Sequence, residues 1–221
     1  MMEQAADFVR TICRTIYTLP YRIMIKDVPT IVSRDCIGGV LYKRMHARFS
    51  SPTINLYMTN EDFILFCFHL KEYLNGTVEE EKNDLAYPSG IIHGAYGDIR
   101  LYFMHYNSFA EARDCWERRK KRIRYDNIRV ILNAGPDVED AIVEKFEHLP
   151  YPKILLSSQA EEKKNVVNLK CYQYKDKKLP IEYKCRKCPI ARHMDEVDWI
   201  KFLRDGTVRR ARIHERSIRK D

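Results

Sequence analysis

Between Pro29 and Ser158, short apolar runs of strand length alternate with segments of helical spacing, and that alternation constrains the fold more than any other feature. Alternation of this kind builds βαβ units, which place parallel strands side by side with helices covering both faces. Pro29–Ser33 reads as the first strand, and Gly38-Gly39 opens a helix through Leu41, Tyr42 and Met45. A second strand is expected at Thr53–Met58. Thr59 or Asn60 then caps a helix whose apolar face runs Phe63, Phe66, Cys67, Leu70, Tyr73 and Leu74, ended by Asn75-Gly76. Thr77–Gly97 reads as a long loop. Arg100–Tyr106 is apolar on both faces, as in the middle of a parallel sheet. Ser108-Phe109-Ala110-Glu111 is a capping box, after which Phe109, Ala112 and Trp116 share one helical face. Asn127–Asn133 and Lys153–Ser158 read as strands, with a helix marked by Val138, Ile142 and Phe146 between them. Val166–Tyr172 adds a strand and Asp198–Leu203 a short helix. The expected fold is α/β: a mainly parallel sheet, open to a mixed one, with helices on both faces in three layers. Residues 1–28 form an amino-terminal helix, 29–160 the core, and 161–221 an extension packed on the core with a basic tail.

The chain has 221 residues, enough to bury a full core in one large domain. No apolar run approaches the roughly 20 residues that span a bilayer. Met1-Met2-Glu3-Gln4 lacks a basic start, and Arg10 and Arg14 interrupt the apolar residues after it. Seven cysteines, an odd number at mostly core-like positions such as Cys13, Cys67 and Cys115, fit a reducing compartment. The expected address is therefore the cytoplasm, extending to peripheral contact with the inner membrane face. The net charge of +8 is concentrated: residues 117–124 carry six basic groups against one acid, and 201–221 carry eight against three. Such patches attract phosphate, although a solvated helix face and a loose tail explain them equally well. Nucleic acid is not the expected partner, because no helix-turn-helix, finger or aromatic platform accompanies the charge.

Open α/β sheets hold ligands at the carboxyl ends of their strands. Ser33, Asp35 and Cys36 end the first strand; His105, Tyr106 and Asn107 close the Arg100 strand; Ser108 caps the next helix; Asn133, Ser157 and Ser158 end later strands. In a parallel sheet these polar groups gather on one rim. Taken singly, Ser108 and Asn133 read as caps and turns. Gly38-Gly39 permits close backbone approach beside a helix amino end. The dinucleotide fingerprint and the P-loop pattern are both absent, which disfavours the usual dehydrogenases and NTPases. Cys36, preceding helical N–H groups, is a candidate thiolate with His105 as its base, against the alternatives of a structural cysteine and a structural histidine. Cys185-Arg186-Lys187-Cys188, with Cys171 and His193 near it, has the donor types for zinc. A single close pair does not specify the metal, and an unligated pair is the default.

A set of motifs resembles a bacterial family of unknown function whose members are usually labelled exopolysaccharide biosynthesis protein. They are Ile31-Val32-Ser33-Arg34-Asp35-Cys36-Ile37-Gly38-Gly39, Ser51-Pro52-Thr53, Glu61-Asp62-Phe63 and Tyr87-Pro88-Ser89-Gly90. His105-Tyr106-Asn107-Ser108-Phe109-Ala110-Glu111-Ala112 and Trp116-Glu117-Arg118-Arg119-Lys120-Lys121-Arg122-Ile123 complete it. The resemblance implies one α/β domain and a place in making surface polysaccharide. Members commonly carry asparagines where Arg34 and Asp35 stand and a tryptophan where Ile37 stands, so any amide contact to a sugar differs here. Family label and rim chemistry together suggest a glycosyltransferase-like or other sugar-modifying enzyme with a nucleotide-activated donor and a small-molecule or glycan substrate. Asp35 would orient or deprotonate an acceptor hydroxyl, and His105 would share the proton. Ser33, Cys36, Gly38, Gly39, Ser51, Thr53, Tyr106, Ser108 and Asn133 would contact substrate, while Arg118 and Arg119 met a diphosphate. The alternative is a non-catalytic protein docking at the membrane face of a polysaccharide assembly complex, suggested by the basic amphipathic amino-terminal helix and the basic tail.

Overall fold

Ile128–Gly135 is buried over nearly its whole length, which requires cover on both faces and a strand on each side. In the computed structural model, which describes residues 12, 15–135, 138–157, 161–169 and 192–211, it has both. Helix α1 (residues 15–24) leads into β1 (Thr30–Ser33) and α2 (Ile37–Met45). Helices α3 (Asn60–Phe68) and α4 (Leu70–Asn75) precede β2 (Glu79–Glu81), β3 (Ser89–Ile92) and β4 (Ile99–Tyr102). Then come α5 (Phe109–Lys120), β5 (Ile128–Gly135), α6 (Asp140–Glu147), β6 (Lys153–Ser157), β7 (Val166–Asn168) and α7 (Trp199–Asp205).

One sheet is parallel, in the order β1-β5-β6-β7, with Val32 opposite Val130 and Ile131 opposite Ile154. Successive residues of these strands face opposite sides. Val32, Val130, Leu132 and Leu155 meet Phe63, Phe66, Trp116 and Phe146 of α3, α5 and α6 in one core. Ile31, Ile131, Ile154 and Leu156 meet Tyr21, Leu41, Trp199 and Phe202 of α1, α2 and α7 in a second. The three-layer α/β architecture expected from the alternation is present.

Three elements differ from expectation. Arg100–Tyr106 is not a central parallel strand: β4 ends at Tyr102 and belongs to a separate antiparallel sheet of order β2-β3-β4. Its apolar residues are apolar for another reason, since Phe103 packs edge-on against both Tyr106 and Phe109 beneath α5. The expected loop Thr77–Gly97 supplies the other two strands. Glu79–Glu81 has no apolar alternation to mark it as a strand, because its charges sit on an exposed edge, where Glu81 pairs with Arg100 across the sheet. Thr53–Met58 is not a strand either. Asn55 takes a left-handed φ of 66°, which breaks the pleat, and the segment bonds piecemeal to both sheets. Tyr57 pairs with Tyr102, and the Met58 N–H donates to the Arg34 carbonyl. The expected single helix after Thr59 is two, interrupted at His69.

The carboxyl-terminal elements are fastened to α2 by a buried fork: Arg44 donates to both carboxylate oxygens of Asp195, at 2.5 and 2.9 Å. No helix among the described residues is long and apolar enough to cross a membrane.

Candidate functional site

At the carboxyl end of β1 the chain must turn from strand to helix, and the polar residues there satisfy the backbone as it turns. The Ser33 N–H donates to the Thr53 hydroxyl at 3.0 Å, and Ser33 Oγ donates to the Asp35 carbonyl. Asp35 Oδ1 accepts the Ile37 N–H at 3.1 Å, one of the otherwise unpaired donors opening α2. Its Oδ2 accepts the Asn133 side-chain amide at 2.7 Å, tying β1 to the end of β5. Burial raises the Asp35 pKa, against the pull of the Ile37 N–H, the Asn133 amide and the Arg34 charge.

Cys36 sits at the N-cap position, one residue before α2. After β4 the chain folds into a tight turn, with the Tyr106 N–H on the Phe103 carbonyl, and this turn carries His105 back over the rim. His105 Nε2 lies 3.0 Å from Cys36 Sγ. Cys36 is half-buried and His105 exposed, so the pair is open to solvent. An imidazole at this distance can take the thiol proton. The histidine arrives from the antiparallel sheet, not from the parallel strand expected.

Ser33, Asp35, Cys36, His105 and Asn133 therefore form one cluster. Ser51 and Thr53 are fully buried beside it and bond to each other at 3.0 Å, completing the strand end rather than facing solvent. Gly38 and Gly39 pack: a Cβ on Gly38 would meet Ser33 Cβ at 3.0 Å and Ile54 Cδ1 at 3.1 Å, so Ile54 occupies the space a ligand would need. Tyr106 points away, its hydroxyl donating to the Ile54 carbonyl and accepting from Arg119 at 2.6 Å. Ser108 caps α5 through the Glu111 N–H. Ser157 is buried at the end of β6, and Ser158 lies outside the described residues.

Arg118 and Arg119 do not reach this rim by way of α5. The helix runs about 18 Å toward the amino ends of the strands, where the Arg124 N–H meets Thr30 Oγ1. Arg119 is buried there against Phe49 and the Ile54 carbonyl. Around it Arg48, Arg118 and Arg122 gather. Burial, and then the like charges of Arg48, Arg118 and Arg119, push the Arg122 guanidinium below its ordinary value.

Sequence reasoning overlooked Arg34 as a site residue. Its guanidinium donates to the carbonyls of Met58, at 2.9 Å, and Asn133, and lies 4.6 Å from the Tyr57 ring centre. It struts the rim from below. The available signal was its place in the strand-end motif, between two residues already singled out. Cys13, Cys171, Cys185 and Cys188 lie outside the described residues, and His193 is described only as the start of a 3-10 turn. Among the described residues no group of three or more His, Cys, Asp or Glu is arranged to hold a metal.

The sequence profile of a family described as "Domain of unknown function (DUF1919)" matches residues 9–204. A Haemophilus influenzae protein described as uncharacterized is 29% identical over 122 residues, which cover 55% of this chain. The match spans 57% of that relative's own length.

Proposed function

We propose, starting from a chain that belongs to the DUF1919 family of domains of unknown function, that it is a sugar-modifying transferase of bacterial surface polysaccharide biosynthesis with Cys36 and His105 as its reacting groups. The observation that carries the reading is the 3.0 Å approach of Cys36 Sγ to His105 Nε2. The sugar and the pathway rest on the motif resemblance.

In this reading Cys36 gives its proton to His105, and the thiolate attacks the electrophilic carbon of an activated donor, a nucleotide-activated sugar being the donor favoured. The leaving group departs with the bonding pair and takes the proton from the imidazolium. Neutral His105 then accepts the proton of a sugar hydroxyl as that oxygen attacks the group held on sulfur, and the thiolate is released. Asp35 is a positioning residue, because its oxygens hold the first turn of α2 and Asn133. Arg118 and Arg119 take no part at this rim.

Calorimetry of the full chain against a panel of nucleotide sugars, with the surface polysaccharide yield of cells carrying Cys36→Ala or His105→Ala, tests the reading. Binding of one donor and loss of yield in both variants are expected. No donor binding, with normal yield from both variants, would overturn it.

A further inference from the structure

We infer that α1 docks the protein on an anionic lipid bilayer. Ten large hydrophobic side chains are exposed among the described residues, and five of them belong to this helix and its approach: Ile12, Ile16, Leu19, Ile23 and Met24, at 42 to 65% exposure. The first four are spaced four, three and four residues apart, which sets them in one stripe along a helix. That stripe is not the face by which α1 is held to the fold. On the held side Tyr21 and Ile25 enter the second core, and the Tyr21 hydroxyl accepts from Arg44 at 3.0 Å. A contiguous apolar patch left outside the packing face marks a binding surface.

Charge identifies what covers it. From Thr15 to Lys26 the sequence holds Arg22 and Lys26 and no Asp or Glu, and the Asp27 that follows is paired with Arg124. Arg22 and Lys26 are exposed, and neither pairs with a carboxylate among the described residues. An apolar stripe edged by cations is the composition of a helix that lies in the headgroup region of an anionic membrane. A second copy seated on the same stripe would bring the uncompensated cations of both helices together, which opposes self-association. Arg48, Arg118 and Arg122 extend the positive field: α1 runs into β1 at the amino-end edge of the parallel sheet, where α2 and α5 end. Cys36 and His105 lie on the opposite edge and remain open to solution when α1 is docked. The inference is independent of their chemistry.

The test is sedimentation of the full chain with phosphatidylcholine vesicles, with and without phosphatidylglycerol, at low and high salt. Binding to the phosphatidylglycerol vesicles, weakened by salt and absent on phosphatidylcholine alone, is expected. Ile16→Glu with Ile23→Glu, and separately Arg22→Glu with Lys26→Glu, should each lower partitioning by about tenfold or more. Their melting temperatures should match the parent's, because all four side chains are exposed. The docking role is overturned if the parent stays in the supernatant, or if the double variants partition as it does. It is equally overturned if binding ignores lipid charge and salt. A concentration-dependent dimer in sedimentation velocity, abolished by Ile16→Glu with Ile23→Glu, would assign the stripe to a second copy and overturn it too.

Discussion

Cys36 Sγ and His105 Nε2, 69 residues apart in the chain, approach to 3.0 Å where the turn after β4 meets the end of β1. A thiol so placed should react unlike a buried one. Cys67 is fully buried, and burial pushes its pKa well above the ordinary thiol range. Iodoacetamide at neutral pH, followed by peptide mapping, should therefore modify Cys36 and spare Cys67. His105→Ala should slow alkylation of Cys36 by about tenfold. Equal rates in parent and variant would mean that the imidazole does not activate the sulfur.

Asn133→Ala tests how the rim is held. The variant removes a 2.7 Å hydrogen bond to a carboxylate that burial already penalises, at a cost of about 1–3 kcal/mol. The amide favours the charged carboxylate, so its loss raises the Asp35 pKa further. A raised folded-state pKa gives stability that is present at low pH and lost as pH rises through it. The deficit of the variant should therefore be largest near neutral pH and fade as Asp35 becomes protonated. Urea midpoints across the acid range measure it, and a deficit that does not change with pH would contradict this account.

The parallel sheet was legible in the sequence because each of its strands is a dense apolar run, and Ile31, Val130, Ile131 and Leu155 must be buried wherever they fall. The antiparallel sheet was not, since β2 is three glutamates whose pairing depends on partners across a turn, Glu79 with Ile91 and Glu81 with Ser89. Cys36 and His105 could both be singled out as residues at segment ends. Their meeting was anticipated by the wrong route, because Phe103 and Tyr106 imitate a buried strand while they pack a turn under α5. The role of Gly38 was obscured in the same way: sequence shows a missing side chain, and only packing shows that Ile54 fills the space.

Breaking the Arg44–Asp195 fork should destabilise the protein strongly. Both side chains are nearly inaccessible, so Asp195→Ala leaves a guanidinium buried without its countercharge, at a cost of about 3–5 kcal/mol. Replacing both, as Arg44→Met with Asp195→Leu, removes the stranded charge and should cost clearly less than the single change. Chemical denaturation of the three proteins decides it. A double variant as damaged as the single one would show that the fork contributes geometry rather than charge balance.

Tyr21 gives the fold an alkaline limit. Its hydroxyl is buried beside the fork, and burial, outweighing the opposing charge of Arg44 and aided by Asp195, pushes its pKa up to about 12 from an ordinary 10.0. Between those values the unfolded chain has lost the tyrosine proton while the folded protein keeps it. Stability is then whole below pH 10 and falls as pH rises toward 12, with a slope approaching about 1.4 kcal/mol per pH unit for the one proton. Tyr21→Phe deletes that proton and the hydrogen bond from Arg44 together. The variant should be weaker than the parent at about pH 8 and lose less on going to about pH 11. The two stability curves should therefore converge in alkali, as measured by urea midpoints. Parallel curves would mean that Tyr21 ionises as freely in the folded protein as in the unfolded chain.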